Sequence, residues 1–141
     1  MNFSWVCDIM LLMNEQEKKR FEFWKRSSEE EINIALILLE KKKLRQSLFF
    51  IHLSLEKILK ALFIKRKKAH PPITHNLKYL AEQIKLELSE ERENFLIEAT
   101  AFNIEARYPD EESPPPAPKY VKQKYEEAQE ILKWLRRLSE E

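Results

Sequence analysis

The chain has 141 residues, which suits one domain, because two separate cores of that combined length would each lie near the lower limit for independent folding. Its 25 basic and 24 acidic residues leave a net charge of +1, so no overall field draws it to nucleic acid or anionic lipid, and any such contact must be local. It has no glycine and a single cysteine, Cys7. Dinucleotide fingerprints, P-loops and nucleophile elbows are thereby excluded, as are an intrachain disulfide and Cys-pair zinc or redox motifs, and a reducing cytoplasm fits. The 35% charge and the Lys/Glu richness match the composition of proteins from hot environments.

The N-terminal MNFSWVCDIMLLM is apolar but is interrupted by Asp8, and it lacks a basic leader region and a small-residue cleavage site. It reads neither as a signal peptide nor as a membrane span. Met10 and Met13 stand just before the charged NEQEKKR, so a start at either is one reading and an apolar flap on the domain is the other. Residues 1–19 are set apart as an extension and residues 20–141 as one helical domain.

A first helix is expected to open at Ser27 or Ser28, each followed three residues later by a glutamate at capping-box spacing, with Trp24 packing over its start. Its apolar INIALILLE implies burial of much of its circumference. A second helix is predicted from about Leu44 to Lys68, with Leu48, Ile51, Leu55, Ile58, Leu59 and Leu62 on one stripe. It reads as the centre of a bundle, ending in Lys65-Arg66-Lys67-Lys68 and stopped by Pro71-Pro72. A short third helix takes Thr74 or Asn76 as its N-cap and buries Leu77, Leu80, Ala81 and Ile84. Ser89 caps a fourth, carrying Phe95, Leu96, Ala99, Phe102 and Ala106 at helical spacing up to Pro109. The acidic, proline-rich DEESPPPAP is a connector, and the last helix, about Lys119 to Leu138, carries a seam of Val121, Tyr125, Ala128, Leu132 and Leu135. With no segment of strand period, the expected fold is all-α, an up-and-down antiparallel bundle of four long helices plus a short one.

Polar residues interrupt these apolar patterns at three places. Glu56, Lys57 and Lys60 break the second helix: Glu56 and Lys60 form an i,i+4 ion pair that solvates an exposed arc, or Lys57 or Lys60 faces a groove and meets a phosphate. His70 and His75 bracket the Pro-Pro turn. Their spacing matches no zinc pattern and no third ligand is near in sequence, so no metal is expected, and His75 serves to tie down the following helix start or lines a site. His52, on the mostly buried helix, reads as structural. Arg107, Tyr108 and Asp110 close the fourth helix; the arginine favours the helix dipole in any case, and an Arg-Tyr pair also suits a phosphate and a base.

In order, HLSLEKILKALF in the second helix, Thr74-His75-Asn76-Leu77 opening the third and EARYPD ending the fourth resemble the HEPN domain, the helical "higher eukaryotes and prokaryotes nucleotide-binding" family. With Trp24 and the first helix the resemblance spans from about residue 20 to the C-terminus. It implies a bundle that commonly forms a homodimer, often paired with a separate minimal nucleotidyltransferase in toxin–antitoxin type modules, with nucleotide or RNA as ligand and no cofactor. The family's recurrent polar positions fall on Glu56, Lys57, Lys60, His75, Arg107, Tyr108 and Asp110. Many HEPN proteins are metal-independent ribonucleases with an Arg-x4-6-His motif in a later helix; here no histidine follows His75. Arg45 and His52 meet that spacing only in the second helix, where the family does not place it. The resemblance therefore implies a nucleotide-binding or substrate-binding subunit without catalytic residues, with a ribonuclease toxin and a structural interaction module as the alternatives.

Overall fold

A computed structural model describes residues 13–107 and 113–141, apart from the side chains of 106 and 107. Among the described residues five helices follow in order: α1 (Glu15–Glu40), α2 (Leu44–Lys67), α3 (Leu77–Gln83), α4 (Glu90–Arg107) and α5 (Pro118–Ser139). No strand occurs among the described residues, and none of their helices is long and apolar enough to cross a membrane. The expected all-α bundle of four long helices and a short one is what the chain forms.

The start of α1 corrects the sequence reading. The helix opens at Asn14 rather than at Ser27 or Ser28, through a capping box in which the Asn14 side chain accepts from the Glu17 N–H at 2.8 Å and the Asn14 N–H donates to the Glu17 carboxylate at 2.9 Å. The physical reason is the stripe Phe21, Trp24, Ser28, Ile32, Ala35, whose steps of three and four carry a packing face straight through the serines. Ser28, fully buried, donates from Oγ to the Ser54 carbonyl of α2 at 2.6 Å, and Ser47 of α2 donates back to the Ala35 carbonyl at 2.7 Å. In a chain without glycine, these serines supply the small, hydrogen-bonding contacts that let α1 and α2 lie close.

Helix α2 is the centre: it packs on each of the other four helices and buries Leu48, Ile51, Leu55, Ile58, Leu59 and Leu62. Around it lie Leu77 and Leu80 of α3, Leu96 and Phe102 of α4, and Val121, Ala128, Leu132 and Leu135 of the α5 seam. Asn76 caps α3 by accepting from the Tyr79 N–H at 3.0 Å, while the Thr74 hydroxyl accepts from the Asn76 N–H at 3.1 Å. Ser89 caps α4 through the Arg92 N–H, and Pro118 takes the first turn of α5, where its missing N–H costs nothing. Lys42, Lys68 and Lys85 have φ of 59°, 51° and 54°, so lysine fills the left-handed positions at helix ends that glycine usually occupies.

Candidate functional site

The segment HLSLEKILK of α2 places His52, Glu56 and Lys60 one turn apart on a single face. All three are buried, at 0%, 5% and 8% exposure, and burial of three polar side chains in a row demands partners. Glu56 is the hub. Its Oε1 lies 3.1 Å from His52 Nε2 and 2.7 Å from His75 Nδ1, and its Oε2 accepts from Lys60 Nζ at 3.1 Å. The other His52 nitrogen, Nδ1, is 3.0 Å from the Ala99 carbonyl of α4. Burial alone pushes the Glu56 carboxyl up, but the hydrogen bonds from His52 and His75 and the charge of Lys60 outweigh it and bring it down to about 2. The expected Glu56–Lys60 pair therefore exists, though it is buried and does not solvate an exposed arc.

His75 reaches this cluster from the loop that follows Pro71-Pro72, and its side chain remains about half exposed. It bonds Glu56 and not the start of α3, which is held by Asn76, Thr74 and the Thr100 hydroxyl that accepts from the Leu77 N–H. Lys57 points elsewhere: its ammonium donates to the Ser27 hydroxyl at 2.7 Å and the Glu31 carboxylate at 2.5 Å, joining α2 to α1. Arg45 donates to the Ser113 carbonyl at 2.8 Å, and His52 is fully buried with both nitrogens engaged, so the two do not form a surface pair. The side chain of Arg107, and Tyr108 and Asp110 entirely, lie outside the described residues.

Beside the cluster, a groove of about 430 Å³ runs between α1 and the Pro-Pro loop, with Arg20, Trp24, Lys60 and His70 among its walls. Lys60 Nζ sits 5.6 Å from the centre of the Trp24 ring, held between an indole face and the Glu56 carboxylate. Larger hollows of about 660 and 630 Å³ occur along the outer face of α1 and between α4 and α5. The groove is the better site on chemistry, because it alone of these touches the buried polar cluster. Sequence reasoning missed Arg20, whose one signal was its i,i+4 spacing from Trp24, readable only with the helix begun at Asn14.

A family model for the HEPN domain matches residues 21–138. The chain belongs to the HEPN family. No similar curated protein and no similar solved structure was found. Within this HEPN domain the matched span takes in all the groove's walls except Arg20, and the polar cluster lies wholly inside it. The membership connects the protein in broad terms with nucleotides and RNA.

Proposed function

We propose that this HEPN protein is a binding subunit that holds the phosphates of a nucleotide, or of a nucleotide-bearing substrate, in the groove beside Lys60, and acts with a minimal nucleotidyltransferase in a toxin–antitoxin type module. The observation that carries the reading is the position of Lys60: a cation fixed by Glu56 on one side, by the Trp24 face on the other, and placed at the wall of an open groove with Arg20 and His70. Arg20 supplies a fork of donors suited to phosphate oxygens, and Trp24 a surface on which a base can stack. Glu56 acts at a distance, by positioning Lys60 and His75. Lys57 does not join this set, since α1 engages its ammonium.

The Arg107-Tyr108 pair at the end of α4 belongs to the same proposal, having matching donor and stacking chemistry. So does a homodimer, to which the exposed Ile97 and Ile104 of α4 offer apolar surface. Titration calorimetry with ATP, GTP and a short RNA tests the binding reading. A ligand should be found whose affinity falls about tenfold or more in Arg20→Ala, as loss of a charge-assisted phosphate contact requires. Binding unchanged by Arg20→Ala and Arg107→Ala, or no binding by chain and partner together, would overturn it.

A further inference from the structure

His52, Glu56 and His75 converge in a way that positioning Lys60 beside the groove does not require. The geometry points to a divalent metal site of the zinc class, made by His52 Nε2, Glu56 Oε1 and His75 Nδ1. These three donor atoms lie within 4.8 Å of one another. They come from one helical turn of α2 and from the loop before α3, so the two ligands that His75 lacks nearby in sequence are brought by the fold.

His52 is the key to this cluster. A carbonyl oxygen can only accept, so the contact of Nδ1 with the Ala99 carbonyl at 3.0 Å puts the ring proton on Nδ1. Nε2 then directs its lone pair at the Glu56 carboxylate 3.1 Å away, and two acceptors face each other in a fully buried setting. A positive species must lie between them. It is either a proton shared between the nitrogen and the carboxylate or a metal ion. The carbonyl contact at Nδ1 is also the outer support that metal-bound imidazoles commonly have, fixing tautomer and ring orientation.

Convergence of a third donor favours the metal. A proton between His52 and Glu56 needs no further ligand, yet His75 Nδ1 approaches the same oxygen at 2.7 Å. Two imidazoles and one carboxylate are the donor set of zinc sites that keep a fourth position open. In such a site bonds of about 2.0–2.2 Å set neighbouring donors roughly 3.3 Å apart, so His75 needs to part from the carboxylate by about half an ångström and its Nδ1 to take the same spacing from His52 Nε2, from which it now lies within 4.8 Å. His75 can yield that distance, being on a loop and half exposed, and its exposure gives the ion a way in. Lys60 holds the other carboxylate oxygen, Oε2, leaving Oε1 to the ion. Coordination displaces the proton of His75 Nδ1, which passes to Nε2, a nitrogen with no protein partner among the described residues.

The test uses the full chain, stripped with chelator and titrated with Zn²⁺ by calorimetry and with Co²⁺ by visible absorption. One ion per chain should bind, with the intense visible bands of four-coordinate Co²⁺. His75→Ala should weaken binding by roughly 10–100-fold or more, since even an outer-shell loss costs that much. His70→Ala, which removes the neighbouring histidine outside the cluster, should leave affinity unchanged. Far-ultraviolet circular dichroism of His75→Ala guards against misfolding, and Glu56→Gln is the second ligand variant. Absence of a Co²⁺ spectrum at millimolar metal overturns the site and leaves the proton in its place. Binding that survives both His75→Ala and Glu56→Gln, or that is lost in His70→Ala, overturns it equally.

Discussion

Glu56 shows how one buried residue organises its surroundings. It satisfies His52, His75 and Lys60 together, so a neutral replacement of similar shape should strand charge in the interior. Glu56→Gln is expected to lower stability by roughly 3–5 kcal/mol, the cost of leaving a buried ion without its partner, as read from urea unfolding. His75→Ala removes a half-exposed partner and should cost only about 1 kcal/mol in the same assay. A second carboxylate, Glu98, governs part of the pH dependence. Burial pushes it up, but the Lys124 ammonium at 2.7 Å and the Tyr120 hydroxyl at 2.6 Å hold it below the usual carboxylate range. A group depressed on folding stabilises above its unfolded value, here near 4.5, and loses that contribution as pH falls through the lowered one. Burial and the charge of Glu98 push Tyr120 the other way, above the ordinary tyrosine range, so its contribution fades as pH rises past that range. Glu98→Gln should therefore flatten the acid limb of the stability profile, and an acid limb identical to wild type would contradict this assignment.

Among the elements, the helix ends were legible and the beginning of α1 was not. Ser27-Glu30, Ser28-Glu31 and Asn14-Glu17 all show capping-box spacing, and nothing local separates them. What separates them is α2, which offers α1 a long face to pack on and draws the serines into the interface. Asn14→Ala should thus destabilise by about 1 kcal/mol, the usual worth of a lost cap. Ser27→Ala should leave the length of α1 unchanged by hydrogen exchange. The breaks at Pro71-Pro72, Asn76 and Ser89 were readable because proline and capping side chains act on their own neighbours. Absence of glycine carries a consequence at this scale too. Lys42 and Lys68 hold left-handed backbone after α1 and α2, a conformation that disfavours a residue with a Cβ. Lys42→Gly and Lys68→Gly should each raise stability by up to about 1 kcal/mol in thermal or urea unfolding, since relief of that strain exceeds the entropy glycine loses.

At the scale of the molecule, α2 makes both the core and the site. Its apolar stripe showed it to be central, and its polar residues were visible as interruptions, but their burial reversed their meaning. His52, Glu56 and Lys60 recur every fourth residue and so share a face, which the sequence displays. Whether that face meets solvent or neighbours depends on where α1, α4 and the Pro-Pro loop come to rest, and that is settled by packing distant in sequence. For the same reason Lys57 and Lys60 looked equivalent, yet one serves Ser27 and Glu31 and the other stands at the groove. The most direct test of that groove is nitrogen-15 NMR of the labelled protein titrated with ATP, following the indole N–H signals of Trp24 and Trp134 and the ring nitrogens of His75. Trp134 lies in α5, away from the groove, stacked under Arg92 at 3.9 Å. Saturable shifts at Trp24 and His75 with Trp134 silent are the predicted result. Shifts at Trp134 alone, or at neither indole, would contradict the site.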